Sequence, residues 1–161
     1  LQNVICASAV GQLLKARLLA DLREKRGWTY GITTHGAITA GMNGDDPSEF
    51  MLPVYVKVDP DHYAETAQII DATLANMAAG NITPQELDKV KEYMLKSVAD
   101  SRKDNAYWLV VLRQYDKTGL DMDSSYESCV ASLSPQTVSA FLGRVLAGAQ
   151  TLRLTMTPNQ E

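Results

Sequence analysis

The side chains able to hold a metal or attack a carbonyl are few: His35, His62, Cys6, Cys129 and acidic pairs such as Asp45-Asp46. Zinc needs several convergent donors, and neither histidine has a second His or Cys one helical turn or two residues away. His35 therefore reads as a strand residue and His62 as a residue in the first turn of a helix. Cys6 and Cys129 are too far apart for a metal knuckle or a C-x-x-C pair and too few for a disulfide scaffold, so they read as small buried hydrophobes. Asp45-Asp46 lies among glycines without the spacing of a calcium loop and reads as a solvated turn. The chain has neither a G-x-S-x-G elbow nor a Gly-rich phosphate loop. Two other groups remain, Arg23 and Tyr30, seven positions apart. On residue type alone, Arg23 complements the dipole at a helix C-terminus and Tyr30 is one more aromatic on a strand.

The elements that would position these groups must fit into 161 residues and 17.6 kDa, room for one ordinary domain. We expect residues 1–161 to form a single domain, a fragment of a larger multidomain protein. With 45% hydrophobic and 21% charged residues and a mean hydropathy of −0.16, the composition is globular. No apolar run approaches the roughly 18 residues of a spanning helix, which argues against a membrane segment. A net charge of −4 disfavours nucleic acid, whose binders usually carry a basic face. Leu1 to Ala7 show neither an initiator Met nor signal-peptide regions, so the natural protein is expected to begin elsewhere.

Val10, Leu13, Leu14, Leu18 and Leu22 recur at helical spacing and predict a helix over residues 3–26, ended by Gly27. Trp28 to Ile38 alternates at period two and predicts a strand with Trp28, Tyr30, Ile32 and Thr34 on one face. A turn cluster between Thr39 and Glu49 leads to a second strand, Phe50 to Val58, which Pro53 confines to an edge or a bulge. Asp59-Pro60 opens a helix with Tyr63, Ala67, Ile70, Leu74 and Met77 as its buried stripe and Gly80 as its stop. Thr83-Pro84-Gln85-Glu86 is a capping box for a helix that runs, with a break near Asn105, to Gly119. Its run Tyr107 to Leu112 reads chiefly as core, with an interface to a neighbouring domain as the alternative. A short helix near Tyr126 to Leu133, a last helix after Ser134 and a strand over Thr151 to Met156 complete the order. Grouped rather than alternating elements predict an α+β fold, a sheet of mainly antiparallel strands with several helices on one face.

Leu18-Leu19-Ala20-Asp21-Leu22-Arg23-Glu24-Lys25-Arg26-Gly27-Trp28-Thr29-Tyr30 resembles the L-x-x-x-L-R-x-K-x-G-x-x-Y segment of the second domain of the pitrilysin or insulinase family of zinc metallopeptidases. Thr83 to Lys91, Asn105 to Leu109 and Ser134 to Val138 are similar, in order, to further segments of the bacterial members. The resemblance covers nearly the whole chain. It implies a metallopeptidase/mitochondrial processing peptidase-like fold, with the strand that precedes the first helix missing.

It also implies two homologous halves that close around the substrate, with zinc held by an H-x-x-E-H helix in the other half. That motif is absent here, so the resemblance implies no metal in this chain and zinc in a complementary domain, on the same polypeptide or a partner subunit. Arg23 and Tyr30 match the family's Arg and Tyr, which implies that Arg23 binds an extended peptide or protein substrate and that Tyr30 assists catalysis. The chemistry suits the residue types. A guanidinium fork fits a backbone carbonyl, and a phenol can donate to the oxygen that becomes negative during hydrolysis. Alone, the chain is expected to be inactive. A non-catalytic scaffold or partner subunit is the alternative function. A homodimer of the fragment through an exposed sheet edge is a further expectation, and the compartment, periplasmic or cytoplasmic, stays open.

Overall fold

A computed structural model of the protein describes residues 1–39 and 49–157. The expected turn cluster, with Asp45-Asp46, lies outside the described residues. Among the described residues six α-helices and four short strands follow in order: α1 (Gln2–Leu18), β1 (Ile32–Thr34), β2 (Ala37–Thr39), β3 (Glu49–Met51), β4 (Val54–Val56), α2 (Tyr63–Ala78), α3 (Pro84–Ser101), α4 (Asn105–Thr118), α5 (Tyr126–Ala131) and α6 (Pro135–Ala147). The architecture is α+β, helices with small antiparallel ladders.

The apolar positions of α1 explain its central place. Ile5, Cys6, Ala7, Ala9, Val10, Leu13, Leu14 and Leu18 are all buried, and the helix touches α2, α3, α5, α6, β1 and β2. Each fully buried Leu or Ile contributes about 1.5–3 kcal/mol of transfer free energy, so this helix anchors the core. Leu87, Val90, Met94 and Val98 on α3 and Val138, Phe141 and Leu142 on α6 are also buried. The caps that start those helices are as the sequence predicts. The Thr83 hydroxyl accepts from the Glu86 N–H at 3.2 Å while Glu86 accepts from the Thr83 N–H at 2.9 Å, and Ser134 pairs with Thr137 in the same way.

The strands form one antiparallel hairpin with a break in its middle. Ile32 pairs with Val56 and Thr34 with Val54; beyond the break, Ala37 pairs with Met51 and Ile38 with Phe50. His35 and Gly36 face Leu52 and Pro53 across the gap, two residues on each side, so the register runs through unchanged. Pro53 has no N–H to give the ladder, and it marks an interruption rather than a bulge. The same gap is where the hairpin presses on α1. A Cβ built on Gly36 would lie 1.9 Å from the Ala7 carbonyl oxygen, and one on Gly11 would lie 2.4 Å from the Gly36 nitrogen. Only glycines permit this backbone-to-backbone seat. Ile32 and Thr34 are buried and Thr33 is exposed, so one face of the hairpin is covered and the other is wet.

Further expectations need correction, beginning with the first strand. The strand predicted from Trp28 starts only at Ile32, and Tyr30 points away from the face that Trp28, Ile32 and Thr34 share in the core. On α2, Tyr63 is exposed, and Thr66 joins Met77 as the fully buried pair. The run Tyr107 to Leu112 is not core, because α4 has no buried residue. Thr151 to Met156 is unpaired among the described residues, with Leu152, Leu154 and Met156 exposed. Its alternating pattern has the form of a strand, but a strand also needs a neighbour to hydrogen-bond.

Candidate functional site

The first helix does not end as an ordinary α-helix. From Leu19 to Lys25 the backbone widens into a π-helical stretch, a rare form that often marks functional positions. Arg23 lies inside it, more than half exposed, with Nε 3.5 Å from Oε1 of Glu24. At the end of this stretch Gly27 takes a φ of +67°, the left-handed geometry that glycine adopts without strain. The Gly27 N–H donates to the Arg23 carbonyl, and the Trp28 N–H donates to the Leu22 carbonyl at 2.9 Å. That closure is one residue wider than the usual Schellman bond, as the wide turn before it requires.

The chain then runs through a braced segment to Tyr30. The Arg26 Nε donates to Asp21 Oδ1 at 2.9 Å and its Nη1 donates to Glu65 Oε1 at 2.9 Å. The hydrogen bond to Asp21, joined by the attraction of Asp21 and Glu65, pushes the Arg26 guanidinium further from deprotonation. Its central carbon sits 4.7 Å from the Trp28 ring centroid, and the Trp28 ring stacks on His62 with centroids 4.1 Å apart and planes 6° from parallel. Thr29 is buried; its hydroxyl donates to the Gly31 carbonyl at 3.0 Å and accepts from the Gly31 N–H at 3.3 Å. Between those two residues Tyr30 is 99% exposed.

Tyr30 and Arg23 thus lie on one short connection, both open to solvent. Among the described residues no hydrogen bond or ring contact engages the Tyr30 side chain. Tyr107 shows the contrast: its hydroxyl donates to Asp123 Oδ1, and burial together with that bond pushes its pKa up to about 12. Tyr107 is a structural phenol; Tyr30 is a free donor.

The other candidate groups do not assemble a centre. Among the described residues no three His, Cys, Asp or Glu side chains converge to hold a metal ion. His62 lies flat against Trp28, and His35 is exposed. Burial pushes the Cys6 thiol up, away from the reactive thiolate, and Cys129 is half-buried. No helix among the described residues is long and apolar enough to cross a membrane.

The sequence pointed to Arg23 and Tyr30 but not to the π-helical stretch or to the group formed by Asp21, Arg26, Trp28, His62 and Glu65. The stretch has no composition of its own. The group joins residues up to 44 positions apart, a separation beyond local pattern reading; an aromatic beside an arginine, with a histidine at a later helix start, was its only trace.

Comparison with known proteins gives a consistent result. The family model described as the peptidase M16 inactive domain matches residues 2–94. A protease from Helicobacter pylori superposes with a TM-score of 0.68 at 20% identity, over 91% of this chain and 34% of that one. A peptidase M16 inactive domain from Pseudomonas fluorescens gives 0.60 at 20% identity, over 87% of this chain and 33% of its own. A mutant of the ferredoxin protease FusC, in complex with Arabidopsis ferredoxin, gives 0.65 at 14% identity, over 89% and 16%. At these identities the likeness establishes the fold. The chain spans about a third or less of each of these structures, and no curated protein matches it.

Proposed function

The chain belongs to the peptidase M16 inactive-domain family, and on that premise we propose that it binds an extended peptide through Arg23 and presents the Tyr30 hydroxyl to the bond being hydrolysed. The carrying observation is the exposure of Tyr30, whose phenol has no partner among the described residues although the Thr29 hydroxyl bonds the Gly31 backbone across it. Arg23 offers its guanidinium from the same connection, more than half exposed, and its fork suits a backbone carbonyl of a substrate strand. When the substrate carbonyl becomes tetrahedral, its oxygen gains charge, and a fixed O–H donor lowers the cost of that charge. The zinc that activates water would belong to a complementary domain, on the same polypeptide or a partner subunit. Closing that domain onto this one would bring donor and metal to one bond. The complex of FusC with ferredoxin is compatible with a protein as the substrate class.

The experiment uses the full-length polypeptide with its zinc-bearing partner. Tyr30→Phe is expected to lower kcat by about 100-fold or more, the scale of losing one oxyanion donor, while leaving thermal unfolding in place. Unchanged turnover would overturn the catalytic role. The second reading, a scaffold that holds an active chain, is favoured by one observation: α4 exposes Trp108, Leu109, Leu112 and Tyr115. Under that reading, polar substitutions at Leu109 and Leu112 separate the assembly and Tyr30→Phe changes nothing.

A further inference from the structure

The distance along the chain from Arg23 to Tyr30 is short, but two glycines, Gly27 and Gly31, lie within it or beside it. Glycines give the backbone its widest freedom, so a phenol on this connection would sample many directions unless something else fixed it. Three side chains supply that constraint. Arg26 is tied at Nε to Asp21 on the π-helical stretch and at Nη1 to Glu65 in the first turn of α2, both at 2.9 Å. Its guanidinium lies over the Trp28 ring, and that ring lies flat against His62. His62 is itself placed by a single turn of tighter helix, Pro60–His62, whose start is capped by Asp59 accepting from the Asp61 N–H. The connection is thus bolted to the start of α2 two residues before Tyr30.

We infer that Arg26, Trp28 and His62 act as a clamp that sets the direction of the Tyr30 phenol, making them positioning residues for the proposed site. The inference rests on the role proposed for Tyr30 and adds the residues through which that role is held. The alternative, that the group merely stabilises the fold, is weakened by its location. Arg26, Asp21 and Glu65 keep 29%, 32% and 54% of their side-chain surface exposed, and ion pairs so exposed stabilise little. Trp28 rests on the edge of the core that α1 organises, but the bonds of Arg26 converge on the one connection that carries Arg23 and Tyr30. Misplacing a donor by about an ångström costs up to about 100-fold in rate, so a clamp of small thermodynamic weight has a large kinetic one.

The test uses the full-length polypeptide with its zinc-bearing partner and compares Tyr30→Phe, Arg26→Ala, Trp28→Leu, Trp28→Phe and the double variant Arg26→Ala with Tyr30→Phe. Arg26→Ala and Trp28→Leu are expected to lower kcat between about 10- and 100-fold with KM nearly unchanged, and Trp28→Phe to restore most of the loss by keeping a ring against His62. Once the phenol is removed, Arg26→Ala is expected to cost nothing further, because residues that act through one group are non-additive. An independent loss in the double variant, or full kcat in Arg26→Ala beside a slow Tyr30→Phe, overturns the clamp and leaves the role of Tyr30 standing. Full kcat in Tyr30→Phe overturns that role itself. A readout free of turnover accompanies these: the imidazole proton resonance that His62→Gln deletes should lie upfield from the indole ring current and move downfield in Trp28→Leu. A resonance that Trp28→Leu leaves in place overturns the stack even where a kinetic variant fails to fold.

Discussion

α1 buries Ile5, Val10, Leu13, Leu14 and Leu18 together, whereas α4 carries Trp108, Leu109, Val110, Val111 and Leu112 in one unbroken run and buries none of them. The apolar run on α4 is as dense as any stretch of α1. What differs is the surroundings: α1 has helices and a hairpin around it, while the bonds that hold α4 to its neighbours gather at its N-terminal end. Arg102 bonds to Asp123 and Glu127, Tyr107 bonds to Asp123, and the Trp108 indole donates to the Arg102 carbonyl. One side of α4, with Tyr107, Val110 and Val111, faces an open cavity of about 460 Å³ beside Val4 and Ile38. The other side, with Trp108, Leu109, Leu112 and Tyr115, faces solvent. The run at Trp108 to Leu112 has the composition of a core segment and no cover among the described residues, so the difference teaches that burial is a property of neighbours before it is a property of residues.

The contrast can be broken most decisively at the seat of the hairpin on α1. Gly36→Ala should cost more than about 4 kcal/mol, the exceptional range for a point change, because the new methyl would collide with the backbone of Ala7; a denaturant midpoint near that of the parent would show that α1 is not socketed as described. Next comes Leu14→Ala, fully buried, expected to cost roughly 3 kcal/mol from lost transfer and a residual cavity, again read by denaturant unfolding.

A smaller effect belongs to the join between α1 and α3. Arg17 donates to both carboxylate oxygens of Glu86, at 2.9 and 3.0 Å, and these bonds chiefly hold the Glu86 pKa at about 2 against an ordinary 4.5. A depressed carboxylate stabilises the fold above its unfolded pKa and loses that contribution as pH falls through the folded one. Unfolding free energy should therefore decline between about pH 5 and pH 2, and Glu86→Gln should flatten part of that decline while costing about 1 kcal/mol at neutral pH, since the pair is partly solvated. An unaltered slope in the variant would remove Glu86 from the account. The smallest effect is expected on α4. Leu109→Ser with Leu112→Ser should shift the stability of this chain by no more than about 0.5 kcal/mol per site, and a loss on the scale of Leu14→Ala would show that the α4 face is covered after all.

The sequence reading succeeded where the physics is local. Caps at Thr83 and Ser134, the stop at Gly27 and the break before Asn105 each depend on a few adjacent residues. It failed where an element depends on what lies beside it. The pattern of Thr151 to Met156 is that of a strand, but ladder bonds need a second strand; the run at Tyr107 has core composition, but burial needs a cover. Arg23 and Tyr30 were visible through a family pattern, while the Arg26, Trp28 and His62 group was hidden because it closes through space between the first helix and the second.

The break in the hairpin has a consequence for how this region can change over time. Because two residues are skipped on each strand, the ladders on either side stay in phase, and the hairpin rests on α1 at the gap without exchanging its faces. Removing or adding a single residue in the gap would rotate everything beyond it, exchanging Ile38 and Phe50 for their outward neighbours. Length variation at this position should accordingly come in matched or even steps, a parity rule imposed by one proline and one glycine.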